Sequence, residues 1–218
     1  MSDFLELLEN EVQIIAFLFL GFVYVFRIFW LLKFKSYTEK TYPAGSEKAG
    51  IMYSMMNVAM PCEMESTKKK PGFYAQFILF HVGITIAISA TFIIPYWPDL
   101  FKIKIIVWIF QFIVVVAFIV GLIRLYRRIA KPAMRLISTP DDYFSLIIMN
   151  IYFAVSFFAI PNEFGTSELP LIIFFGLTAF LLIYVPFSKI CHYLYYPFTR
   201  YFLGKTLGHR GVFPIKKY

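Results

Sequence analysis

The sequence predicts an all-α integral membrane protein, a bundle of five transmembrane helices with its N-terminus outside and its C-terminus inside. Three observations predict this class. Sixty per cent of the 218 residues are apolar and 21% are aromatic, a composition too greasy for a water-soluble domain of this size. The apolar residues fall in long blocks instead of alternating with polar ones, as in segments buried in lipid. The lysines and arginines gather in alternate connections between those blocks, which is what sets orientation in a bilayer.

A hydrocarbon core about 30 Å thick needs about 20 residues rising about 1.5 Å each. Five blocks meet that length. The first covers residues 12–32. The second covers 73–94 and stops at Pro95. The third is 103–123. The fourth, 143–160, is preceded by Thr139-Pro140-Asp141-Asp142, an N-cap with proline in the first turn, and is stopped by Pro161. The fifth, 170–196, has Ser167 and Pro170 to begin it and Pro197 to end it.

With five spans, all of the 21 basic residues except Arg27, Lys102 and Lys104 lie in the first and third connections, at the inner end of the fifth span (Lys189) or in the tail. Acidic residues Asp3, Glu6, Glu9 and Glu11 occupy the other side, with Asp99, Glu163 and Glu168. The positive-inside rule then places the basic side in the cytoplasm. The expected location is the cytoplasmic membrane, crossed several times, and the chain reads as a single domain over 1–218. The formal charge of +8 expresses that orientation, not affinity for nucleic acid. The first apolar block lacks the basic start and small-residue cleavage site of a secretory signal, so it is expected to stay as an anchor.

Between the first two spans lies a long connection in which Met52, Met55, Met56, Met60 and Met64 recur near helical spacing. It reads either as a short helix on the membrane or a partner subunit, since methionine adapts to irregular surfaces, or as a segment packed on the protein's own inner face. Trp97, Trp108, Tyr143, Tyr193, Tyr195 and Tyr196 suit the headgroup level. The two cysteines, Cys62 and Cys191, build neither a disulfide framework nor a zinc site. No His-Glu-x-x-His, no Walker loop and no domain able to hold its own iron–sulfur cluster is present.

The chemistry rests on histidines. An ionisable group at membrane depth is costly and is a functional candidate by default. His81 lies among apolar and small residues, about 12 Å in from the inner end of its span. His192 lies one turn past Lys189, near the inner end of the fifth span, at a shallower depth. His209 lies in the basic tail and reads as a satisfied polar group or an exposed tail residue, not as a ligand.

Two imidazoles from different helices suit the two axial positions of a haem iron, and Gly83 and Gly176 either allow close approach to a flat ring or serve ordinary helix packing. Without Cys-x-x-Cys-His, such a haem is b-type. On the residues alone, a polar pair that merely bridges two helices explains them equally well. Arg27, near the inner end of the first span, reads as a partner for a haem propionate or as a side chain reaching for the interface. Arg124 and Arg200 have the same two readings. Gln111 and Asn150 are expected to bridge helices instead of binding quinone.

Leu79-Phe80-His81-Val82-Gly83-Ile84 and Pro186-Phe187-Ser188-Lys189-Ile190-Cys191-His192 resemble the haem-bearing stretches of the gamma subunit of membrane-bound respiratory nitrate reductases. Arg127-Arg128, Pro132, Arg135 and Thr139 to Asp142 resemble that family's loop between its third and fourth spans. The resemblance covers the second to fifth spans. It implies a cytochrome b that exchanges electrons between membrane quinone and an iron–sulfur partner subunit at the cytoplasmic face, with His81 and His192 as the axial ligands of one haem b. The family's second haem would have ligands near Thr91 and around Leu171 to Phe175, where this sequence has no histidine. The resemblance therefore extends to the gamma-like subunits of heterodisulfide-reductase-like and sulfite-reductase-associated complexes. A haem-free anchor that tethers a soluble oxidoreductase is the alternative expectation.

Overall fold

A computed structural model describes residues 2–34, 39–60, 65–163 and 167–215. Among these the regular structure is helical throughout. Ten α-helices follow in order: α1 (Asp3–Glu9), α2 (Glu11–Leu32), α3 (Glu47–Met56), α4 (Glu65–Lys69), α5 (Pro71–Tyr96), α6 (Lys104–Ala130), α7 (Pro132–Leu136), α8 (Pro140–Ala159), α9 (Leu169–Tyr184) and α10 (His192–His209). Five stretches are long and apolar enough to cross a membrane: Asp3–Leu32, Pro71–Tyr96, Lys104–Ala130, Pro140–Ala159 and Leu169–Phe187.

Four of the five match the expected blocks with changed ends. The first gains about two turns from α1, whose start is capped by the Ser2 hydroxyl accepting from the Leu5 amide. Pro95 does not stop the second span but sits inside its last turn, and the helix ends one residue later at Tyr96. The third runs on through Arg124, Arg127 and Arg128 to Pro132, because arginine is a good helix former and only the proline ends the run. The fourth starts as expected, with Thr139 and Asp142 forming a reciprocal capping box around Pro140.

The fifth span departs most. It ends at Phe187 instead of continuing to residue 196. Pro186 lies in a single 3₁₀ turn, Ser188 is extended (φ −103°, ψ 172°), and a second 3₁₀ turn over Lys189–Cys191 leads into α10. His192 is therefore the first residue of a separate helix. Pro197 lies inside that helix and does not end it.

The chain divides into two compact units, Met1–Val23 with Ala75–Ile190 and Tyr24–Tyr74 with Cys191–Tyr218. In unit 1, α8 packs against α6 and α9, and α1 against α9. Its core gathers Phe80, Val114, Ala117, Tyr152, Phe153, Phe174 and Phe175. Small residues let the helices close: a Cβ on Gly83 of α5 would stand 2.1 Å from the Ala117 Cβ, and one on Gly121 of α6 would meet Asn150 of α8. Gly83 thus serves helix packing and offers no room for a ring, whereas Gly176 has nothing within 4 Å of its Cβ position.

Unit 2 is built on α3 and α10, which run antiparallel in backbone contact. Gly211 lies against Ala44, Gly208 against Ser46 and Gly50, and Gly204 against Ile51, each so close that a Cβ would stand 3.0 Å or less from a backbone atom. Gly211 also has φ +70°, a conformation that favours glycine. The methionine-rich stretch is thus a helix docked on the protein's own α10, with Gly50 and Ser54 buried and Met52 and Met56 exposed. Cys62 and Met64 lie outside the described residues.

Candidate functional site

His81 belongs to unit 1 and His192 to unit 2. His81 sits about three turns into the second span, partly buried. Its Nδ1 is 2.8 Å from the Phe77 carbonyl one turn back, and its ring lies 4.3 Å from that of Phe77. A carbonyl only accepts, so Nδ1 carries the proton and Nε2 carries the lone pair. That is the tautomer in which an imidazole ligates iron through Nε2 while its other nitrogen is anchored by backbone.

Beneath it, Phe80 is buried edge-on against Phe153, with ring centroids 5.3 Å apart. The Arg124 guanidinium lies 5.3 Å over the Phe80 ring, a cation–π contact that accommodates the charge inside a span.

The junction ahead of His192 is fixed by acids from the start of α8. Asp141 Oδ2 accepts the Lys189 backbone N–H at 2.9 Å, and its Oδ1 accepts the Tyr184 hydroxyl. Asp142 Oδ2 accepts from Lys189 Nζ at 2.6 Å and from the Thr139 amide at 2.8 Å, with Arg128 Nη1 3.7 Å from its Oδ1. The Ser188 hydroxyl accepts the Ile190 amide at 3.1 Å. Proline, serine and aspartate together turn the chain here, which is why hydropathy alone did not reveal the break. The sequence marked Thr139 to Asp142 and the Pro-Phe-Ser-Lys stretch separately; the structure joins them.

His192 itself is exposed at the start of α10, its ring 6.4 Å from that of Tyr193. Arg27 lies in the same unit, where Nη1 donates to the Tyr195 hydroxyl at 2.6 Å and lies 3.9 Å from Cys191 Sγ. Arg200 lies 5.2 Å over the Tyr196 ring. All three arginines singled out in the sequence thus have aromatic partners.

Thr91 and Leu171 to Phe175, where the resemblance would put the ligands of a second haem, pack against protein side chains. The buried Tyr152 hydroxyl lies 3.2 Å from Thr91 Oγ1 and 3.4 Å from Thr178 Oγ1, and donates to the Ala87 carbonyl at 3.3 Å. Its ring stacks on Phe174 at 5.5 Å and 5°, and Leu171, Phe174 and Phe175 are buried. Gln111 Nε2 donates to the Phe157 carbonyl at 2.9 Å, bridging α6 and α8 as expected. Asn150 donates to Leu146 in its own helix and fills the space left by Gly121.

Of the two readings of His209, the satisfied polar group is the one found. It is 7% exposed, not a loose tail residue. Nε2 donates to the Thr41 carbonyl at 2.8 Å and Nδ1 is 3.1 Å from Glu47 Oε1. The Thr41 carbonyl first, and then the Glu47 carboxylate, hold its pKa above the usual histidine value. Next to it Arg210 binds Glu39 and holds that carboxyl below its usual range. The only signal available was Gly204, Gly208 and Gly211 at near-helical intervals.

No family model, no curated protein and no solved structure matches the chain.

Proposed function

We propose that the chain is the haem b subunit of a membrane oxidoreductase complex. In this reading it exchanges electrons between membrane quinone and an iron–sulfur partner on the cytoplasmic side, with the basic connections facing that partner. His81 and His192 are the axial ligands of one low-spin haem, which supplies the one-electron chemistry when bound. The observation that carries the reading is His81, an imidazole inside a membrane-length helix whose Nδ1 is held by the Phe77 carbonyl. Its remaining nitrogen is then chemically suited to iron.

The donor set fits haem b: a neutral imidazole on each of two helices, and no cysteine pair for covalent attachment. The aromatic and hydroxyl packing around Tyr152, where a second centre would otherwise lie, supports one haem over two. Arg27 stands as a propionate partner only if its guanidinium serves Tyr195 and a propionate together.

The test is haem content and spectrum of the purified chain. The wild type is expected to give a reduced spectrum of low-spin bis-histidine haem with one haem per chain by pyridine haemochrome. His81→Ala and His192→Ala are expected to lose it. His209→Gln is expected to lower thermal stability while leaving the haem-to-protein ratio unchanged. A wild-type chain without haem would leave the membrane anchor as the working account.

A further inference from the structure

The first span meets α10 within unit 2 at two points, and the two points bracket His192. The Tyr24 hydroxyl is hydrogen-bonded to the Tyr193 hydroxyl, and the two rings meet edge-on at 5.8 Å and 73°. One turn further along α2, Arg27 Nη1 donates to the Tyr195 hydroxyl at 2.6 Å. Tyr24 and Arg27 are three residues apart and share a face of α2. On α10, at about 100° per residue, Tyr193 stands about 100° to one side of His192 and Tyr195 about 60° to the other. Beyond Pro197, α10 is fixed by main-chain contact with α3 at Gly204 and Gly208. Its first turn is held separately, by tyrosines that flank His192 on either side around the helix.

We propose that Tyr24 and Arg27 are positioning residues that fix the first turn of α10 and thereby the aim of the His192 imidazole. This inference rests on His192 being a haem ligand. It gives Arg27 a role through Tyr195 in place of a charge offered to a propionate. The orientation of an axial imidazole plane governs the electronic structure of low-spin ferric haem, so shifting that turn alters the spectrum without removing the ligand.

The experiment uses the full-length chain with Tyr24→Phe, Tyr195→Phe, Arg27→Gln and the double variant Arg27→Gln/Tyr195→Phe. Each is read by haem-to-protein ratio, by the low-field g value in electron paramagnetic resonance and by redox titration. The expected result is an unchanged haem ratio in every variant, with the g value and the midpoint potential shifted. The double variant should shift no further than Arg27→Gln alone, because both changes cut the same tether. Wild-type g values in the haem-loaded single variants would overturn the positioning role and leave the haem assignment standing. Additive shifts of Arg27→Gln and Tyr195→Phe would overturn it for Arg27 and return that residue to a direct electrostatic role. A wild-type chain without haem would remove both this inference and the functional reading beneath it.

Discussion

The two units are held together by opposite means. Unit 1 is cohesive through side chains: aromatic rings in its interior, and hydroxyls that bond carbonyls and one another around Tyr152. Unit 2 is cohesive through backbone, with glycines of α3 and α10 in direct main-chain contact and charged pairs closing the end at Glu47–His209 and Glu39–Arg210. The lesson is that membrane hydropathy reports the first kind of cohesion and says nothing of the second. Lipid is as apolar as leucine, so close approach and interhelical polar contacts decide which helices associate.

The sharpest way to break the contrast is a methyl group. Gly50→Ala puts a Cβ 2.4 Å from the Gly204 carbonyl oxygen and 2.5 Å from the Gly208 Cα, and backbone cannot step aside as a side chain does. The expected cost is about 3 kcal/mol or more, read as loss of the folded unit 2 by limited proteolysis in detergent. Gly176→Ala and Gly21→Ala, which meet nothing within 4 Å, should leave the same digestion pattern unchanged.

In unit 1 the equivalent insult is Gly83→Ala, aimed at the Ala117 Cβ. It should cost about 1–3 kcal/mol. Because the obstacle is one methyl group, Ala117→Gly should restore most of the loss, a rescue with no counterpart at Gly50. Thermal melts of the two single variants and the double variant measure it.

Tyr152→Phe keeps the ring on Phe174 and removes only the shared hydroxyl. A loss of about 1 kcal/mol is expected, since Thr178 keeps its bond to the Phe174 carbonyl. A much larger loss would mean that the hydroxyl network, not the rings, holds unit 1.

The smallest effect is that of pH on unit 2. The His209 pKa is raised in the folded chain above its ordinary 6.5, so the folded state binds more protons than the unfolded one between those two values. Its stabilising contribution is therefore complete below about 6.5 and is lost as pH rises through the folded value. Melting temperature should fall modestly from pH 6 to pH 8.5 in the wild type, and His209→Gln should flatten that slope.

Much of unit 1 was legible in the sequence. The length of an apolar block fixes a span within a few residues, and Thr139-Pro140-Asp141-Asp142 announces the start of α8 because capping chemistry is local. His81 was legible for the same reason: its neighbours in sequence are its apolar surroundings. The break at Pro186 to Ser188 was not, because apolar residues continue on both sides and the acids that stabilise it stand in another helix. Pro197 misled, since a proline within an apolar run reads as a terminus while α10 simply absorbs it. Unit 2 was least legible. Its contacts join residues near 45 to residues near 210, and a glycine in a polar tail announces neither its partner nor its distance. That is why the partners of His209, Thr41 and Glu47, could not be named in advance.

The antiparallel pairing of α3 with α10 also sets an order of events during synthesis. The halves of that pair are the early connection and a helix made much later, so α3 must wait for the whole intervening chain before it can find its mate. Closing so long a loop comes late, and a nascent chain halted anywhere before residue 204 carries α3 without the surface it was shaped to meet.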